Sequence, residues 1–232
     1  MIMKIFHSLI LLIFLFVGTQ NVFSQKTTND VIKLINTFFE NNKTLKGDFE
    51  LYEKGKGVQR GYFMFKDPHF FKMVFASRGR NEKYKKRIIS DGKTLWVYLP
   101  KKGIVIDQDL KNLTPIGIST QMLGIRRLLQ FYTPKFHNNN SNLVKSPDLP
   151  MKTYILELNA KDKRNGFQRI LFYVDKDGFI VKSKAKTFSG KEFSLIRKNV
   201  KRKIKIDSKE FRREAPKDAV MIKNPFVSGR GY

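Results

Sequence analysis

A chain of 232 residues without a single cysteine can form no disulfide and no thiolate metal site, and it can carry no lipid on an N-terminal cysteine. Its 46 Lys and Arg against 20 Asp and Glu leave a formal charge of +26. The basic residues are scattered over the whole length, as solvated strand faces and turns would have them. That pattern points to an anionic lipid surface or an acidic partner rather than to a nucleic-acid-binding arm.

Lys4 precedes an apolar run at residues 8–17, long enough for the core of an export signal and too short to span a bilayer. Val22 and Ser24 stand at the −3 and −1 positions of a cut between Ser24 and Gln25. Residues 1–24 are therefore expected to be a cleaved signal peptide, the alternative being an uncleaved anchor. Lys4 is the one charged residue they hold, so residues 25–232 carry +25 and are expected to form a single domain with a sizeable core. An exported chain meets no nucleic acid.

Asn29 or Asp30 is placed to cap a first helix. Val31, Leu34, Ile35, Phe38 and Phe39 recur at spacings of three and four, predicting an amphipathic helix to about Asn41. Strands are predicted at 47–53, 60–66 and 70–76, then a hairpin over 87–99 turning at Asp91-Gly92, then a strand at 103–107. Residues 113–131 contain Pro115, Gly117 and Gly124 before Ile125, Leu128 and Leu129, and read as one or two short helices. A polar loop follows at 137–142. Strands resume at 152–160, 169–175, 180–187 and 192–200, with turns at Asp177-Gly178 and Ser189-Gly190, and a last extended piece closes at 215–222. The order helix, meander, helices, meander predicts a mainly β (α+β) chain built on one large antiparallel sheet. A sheet of about ten strands cannot stay flat, so it curls, with helices as natural plugs for its concave face.

Catalytic chemistry is poorly supplied. His7 lies in the export segment, His137 in the Asn-rich loop, and His69 follows Pro68 at a strand entrance. Asp107 and Asp109 beside Lys111 make a weak metal site. Asp175-Lys176-Asp177-Gly178 begins like a calcium loop without its distal Glu and reads as a hairpin turn. No enzyme activity, metal or cofactor is expected. The aromatics say more, with 21 Phe in the chain. Alternation puts Phe63 and Phe65 on one face against Tyr62, Met64 and Lys66, and Phe71, Met73 and Phe75 on one face against Phe70, Lys72 and Val74. Each could be ordinary core. On a curled sheet, however, the concave face is too wide to fill without a lid or a ligand, and Phe and Met adapt to a disordered apolar one.

The run Arg87-Ile88-Ile89-Ser90-Asp91-Gly92-Lys93-Thr94-Leu95-Trp96-Val97-Tyr98-Leu99-Pro100 resembles the "SDGKTLWxYxP" hairpin of the outer-membrane lipoprotein carrier family, LolA. Three further blocks resemble that family in its own order: Gly61-Tyr62-Phe63-Met64-Phe65-Lys66-Asp67-Pro68-His69-Phe70-Phe71, Asp175-Lys176-Asp177-Gly178-Phe179-Ile180 with Gly190, and residues 211–222 around Ala215-Pro216. The resemblance implies an incomplete antiparallel β-barrel with an α-helical lid over an apolar cavity. It implies a monomeric periplasmic carrier that takes acylated lipoproteins from an inner-membrane ABC-type release complex. Delivery would be to an outer-membrane acceptor or an anionic membrane surface.

Phe71 matches the family's cavity-mouth aromatic, Met73 stands where the family often has Trp, and Asp67 stands where it commonly has Arg. The candidate cavity is Phe63, Phe65, Phe71, Met73, Phe75 and Trp96. The candidate lid carries Arg126, Arg127 and Leu128, with a latch of reversed polarity from Asp67 to Arg126 or Arg127, the alternative being that Asp67 simply starts the turn before Pro68. A lipid- or lipoprotein-binding sensor of the same fold is the alternative, and a basic protein that binds anionic surfaces by charge is a third reading. The tail, residues 223–232, has no assigned role.

Overall fold

The computed structural model describes residues 26–67, 69–76, 86–110, 124–163 and 166–225. The expected export segment, Pro68, the first part of the expected central helices, the side chain of Arg127 and the end of the tail lie outside the described residues. Helix α1 spans Thr28–Asn41, beginning before the expected caps Asn29 and Asp30. Thr27 is the cap: its hydroxyl accepts from the Asp30 N–H, and the Asp30 carboxylate accepts from the Thr27 N–H at 2.8 Å. The buried stripe of the helix is Val31, Ile32, Ile35 and Phe38.

The strands in chain order are β1 (Thr44–Glu53), β2 (Gln59–Lys66), β3 (Phe70–Phe75), β4 (Arg87–Ser90), β5 (Thr94–Leu99) and β6 (Ile104–Asp109). Helix α2 (Gly124–Phe131) follows, then β7 (Tyr132–Phe136), β8 (Val144–Lys145), β9 (Lys152–Ala160), β10 (Phe167–Val174), β11 (Ile180–Thr187), β12 (Glu192–Arg202) and β13 (Val220–Lys223). They form one open sheet in the order β13-β6-β5-β4-β3-β2-β1-β12-β11-β10-β9-β7, with β8 on β9. Pairing of β1 with β12 joins the two meanders. All pairs are antiparallel except β13, which lies parallel to β6 at one edge. The mainly β architecture with few helices is as expected. Two strands were not expected: β8 has only two residues, and Pro134 hides β7, which tolerates it because it pairs on one side only, with β9.

Residues directly opposite in an antiparallel ladder share a face. The pairs Phe49↔Gly61, Gly61↔Phe75, Phe63↔Met73 and Phe65↔Phe71 therefore lie on one side of the sheet. The Phe39 ring of α1 stands 5.6 Å from that of Phe65, so this is the helix-bearing inner face. Register carries the same face through Leu51↔Leu195, Ser183↔Leu195 and Phe172↔Ser183 into the second meander. There α1 and α2 bury Val31, Ile35, Ile125 and Leu128 against Leu156, Leu158, Ile170 and Phe172.

The outer face of the first meander carries Met64, Ile89, Trp96, Tyr98 and Val105, and the C-terminal residues 204–219 cross it as a strap through Ile206 and Phe211.

Two glycines explain motif positions. A Cβ on Gly61 would press on the Val74 carbonyl and lie 2.8 Å from the Phe49 ring, so only glycine lets that ring lie across β2. Gly178 has φ +96° and meets the Leu34 carbonyl of α1, which seats the helix on the β10–β11 turn.

Candidate functional site

The inner face of β1–β5 is a continuous apolar strip. Phe49, Phe63, Phe71, Met73, Phe75 and Ile88 are buried, Phe65 is half-buried, and Phe38 of α1 packs with them. The Phe49 and Phe75 rings meet edge-on at 5.0 Å, and Phe38 lies 5.2 Å from Phe179. Five of the six expected cavity residues are thus brought together. Trp96 is not among them. Phe71 pairs with Ser90, which pairs with Leu95, so Leu95 and Val97 point inward and Trp96 points outward. It is 3 % exposed on the outer face, 6.1 Å from Tyr98 and beneath the strap.

Of the expected latch, the described residues give Asp67 another partner, while the Arg127 side chain lies outside them. Asp67 is bonded to Lys43 at 3.0 Å, and the Asp67 N–H donates to the Lys43 carbonyl at 2.7 Å. This simply prolongs the β1–β2 ladder by one pair beyond Thr44↔Lys66. Arg126 is exposed on α2, and Leu128 is fully buried against α1.

Sequence patterning passed over a buried guanidinium on the inner face. Arg197 lies opposite Phe49 and is 6 % exposed. Its Nη1 donates to the Ile180 carbonyl at 2.9 Å and to the Ser183 hydroxyl at 3.3 Å. Burial pushes its pKa down to about 9, so it stays charged at neutral pH.

A second feature missed in sequence is a cavity of about 910 Å³ at the end of the strip. Its apolar floor is formed by Val58, Phe75, Ala76 and Leu99. Its rim carries Lys56, Arg60, Lys86, Lys101 and Lys102, supplied by the β1–β2 turn, the start of β2, the residue before β4, and the turn after β5. The Lys86 ammonium stands 4.2 Å over the Phe75 ring, and burial holds it below the usual lysine range. Arg60 pairs with Glu50 at 2.9 Å and Lys56 with Glu53 at 2.7 Å.

The groups weighed for catalysis have structural roles. His69 packs on Gly92 of the hairpin turn. The Asp175 carboxylate accepts from the N–H groups of Asp177 and Phe179, which makes the turn. His137 contacts buried Glu157 at 2.7 Å on the outer face. Burial pushes Glu157 up, but hydrogen bonds from His137 and Asn159 and the charge of Lys135 outweigh it and hold the carboxyl below its ordinary range.

Residues 40–214 match the family described as outer membrane lipoprotein carrier protein LolA. No curated protein matches the chain. Among solved structures, an uncharacterized conserved protein from Thermus thermophilus superposes with a TM-score of 0.55 at 13% identity, over 84% of this chain and 98% of that one. A LolA superfamily protein from Nitrosomonas europaea is a looser likeness, at TM-score 0.44 and 13% identity over 81% of this chain and 98% of that one. Lipoprotein LppX of Mycobacterium tuberculosis is similarly loose, at 0.46 and 10% over 78% and 98%. No described helix is long and apolar enough to cross a membrane.

Proposed function

Because this chain belongs to the outer membrane lipoprotein carrier protein family LolA, we propose that residues 25–232 act as one exported carrier that takes the acyl chains of lipoproteins on the inner face of its sheet. The observation that supports this is the strip from Phe71 and Met73 through Phe63 and Phe49 to Phe75, which runs into an apolar-floored cavity with a basic rim. Its volume lies within the range of about 300–1,000 Å³ usual for ligand sites.

The physical need is simple. Burying a methylene is worth about 0.8 kcal/mol, so a 16-carbon chain costs on the order of 12 kcal/mol to expose to water. A carrier must supply equivalent apolar surface and then release it. An inner face already packed against Phe38 and Phe39 does both, because incoming chains exchange one set of apolar contacts for another and the net affinity stays low enough for transfer. The carrier works as a monomer in the periplasm, between an inner-membrane ABC-type release complex and an outer-membrane acceptor or anionic membrane surface.

The test is retention of a synthetic diacylated lipopeptide through gel filtration, beside the same peptide without its acyl chains. Only the acylated form should co-elute with the protein. Retention of both, or of neither, would sink the proposal.

A further inference from the structure

We infer that the basic-rimmed cavity at Phe75 is a headgroup site for a phosphate-bearing anionic lipid, so that the ligands of this carrier include anionic amphiphiles and not acyl chains alone. This rests on the reading of the inner face as an acyl site. Three observations carry it.

The first is charge. The described lining holds five cationic side chains and no carboxylate. Two of the five are matched from β1, by Glu50 and Glu53. Among the described residues, Lys86, Lys101 and Lys102 have no ion-pair partner. Three lysines unpaired among the described residues, around one hollow and on elements separated in sequence, create a positive potential that a single anion at its centre relieves.

The second is the setting of Lys86. Its stem is folded over Phe75 and its ammonium sits on the ring face. Burial outweighs the attraction of Glu53, a carboxylate already paired with Lys56, so Lys86 remains poorly compensated and a bound anion would restore what burial removes. Lysine is a point-charge binder of phosphate and needs no bidentate geometry to do it.

The third is continuity. Phe75 is at once the floor of the cavity and the end of the inner-face strip, edge-on to Phe49. A ligand with its phosphate among the lysines would pass its chains over Phe75 toward Phe49 and Phe63. A free phosphate would gain nothing from that floor. The geometry therefore favours an amphiphile, with the headgroup at the rim and the chains inside.

The experiment uses monomeric short-chain lipids to displace a neutral fluorescent monoacylglycerol from the protein. Dihexanoyl phosphatidylglycerol should displace it at a concentration about tenfold below that needed for dihexanoyl phosphatidylcholine. Glycerol 3-phosphate alone should not displace it. The variant Lys86→Met/Lys101→Gln/Lys102→Gln keeps an apolar stem over Phe75. It should still bind the probe while losing the tenfold preference. Equal displacement by the two lipids, or a preference that survives in the variant, overturns the inference and leaves the carrier reading standing. Displacement by glycerol 3-phosphate as effective as by the lipid also overturns it, because the site would then be one for a soluble phosphate. If the probe does not bind, calorimetry with phosphatidylglycerol separates the two ideas. Binding that disappears in the triple variant leaves a lysine anion site but overturns the amphiphile inference together with the acyl reading it rests on, and no binding removes both.

Discussion

The two faces of the first meander differ in how they are closed, although the same strands build both. On the inner side Phe71 is 3 % exposed, and on the outer side Trp96 is 3 % exposed, so burial does not distinguish them. What covers them does. The outer face lies under the strap, which is held at defined points. Lys66 donates to the Ile206 carbonyl at 3.1 Å and to the Ser208 hydroxyl at 2.8 Å, and Lys72 donates to the Glu210 carbonyl at 2.6 Å. Arg213 reaches Asp91 and Thr94 of the hairpin. The inner face meets Phe38 and Phe39 of α1 through ring contacts and opens at Phe75. Directional bonds fix one geometry, whereas apolar contacts exchange at low cost. Under the carrier proposal, equal hydrophobicity would serve core on one side and a replaceable surface on the other.

The largest expected effect breaks the symmetry of the two faces with one charge on each. Trp96→Glu places an unpaired carboxylate under a pinned strap, costs several kcal/mol and should abolish the cooperative unfolding transition. Phe71→Glu should leave the far-ultraviolet circular dichroism close to native and remove lipopeptide binding. If both variants unfold, the inner face is ordinary core and the comparison collapses.

Next in size is Phe211→Ala. The Phe211 ring lies 5.4 Å from that of Phe70 and seals Ile89 and Trp96. Its removal should cost about 3 kcal/mol, or a fall in melting temperature of about 6–12 °C for a domain of this size. Acyl binding should be unchanged, and a parallel loss of binding would show that the strap and the inner face are one unit.

The alternation of Phe63, Phe65, Phe71, Met73 and Phe75 could be read in sequence because successive side chains of β2 and β3 point to opposite faces, even though both faces are covered. Trp96 could not be placed that way. In Leu95-Trp96-Val97-Tyr98-Leu99 every residue is apolar or aromatic, so the face depends on the turn register, and one step flips it. The strap was invisible for another reason. Ile206 and Phe211 are isolated apolar residues in a basic stretch without periodicity, and only a non-local fold gives them partners. Lys56, Lys86 and Lys101 looked like three of many solvated charges, since nothing local shows that three separate segments converge. Asp67 was expected either in a latch or as the start of the turn before Pro68; it stands in a turn and pairs with Lys43, a neighbour across the ladder that only strand register reveals.

A smaller effect concerns the charge embedded in the inner face. Among the described residues Arg197 has a carbonyl and a hydroxyl for partners and no carboxylate, so its desolvation is only partly offset. Arg197→Met keeps the length of the side chain and removes the charge. Its urea midpoint at neutral pH should be unchanged or raised, by up to about 1–4 kcal/mol in stability. A clear loss would show that the guanidinium holds the β11–β12 geometry of that face, making the inner face less replaceable than the ring contacts suggest.

The smallest effect tests whether the Arg213–Asp91 pair helps to pin the strap. Burial pushes the Asp91 carboxyl up, but N–H donors from Thr94 and Lys93, each at 2.9 Å, and the Arg213 guanidinium outweigh it. The net direction is down from its ordinary value of 3.8. A carboxyl lowered in the folded state favours folding when ionised. Its contribution is therefore complete above the ordinary value and is lost as pH falls through the folded one. Asp91→Asn keeps one acceptor for the turn and removes the charge facing Arg213. Because the pair is about one-third exposed, the difference should be only about 0–1 kcal/mol. Urea midpoints of the two proteins should differ at about pH 7 and converge as the pH is lowered to about 3 and below, where the wild-type carboxyl is itself taking up its proton. A difference that persists at low pH would assign the effect to turn geometry. No difference at neutral pH would leave the strap held by Ile206, Phe211, its lysine-to-carbonyl bonds and the looser Lys72–Glu210 and Arg213–Asp107 pairs, and the contrast between the faces would then not depend on the Asp91 charge.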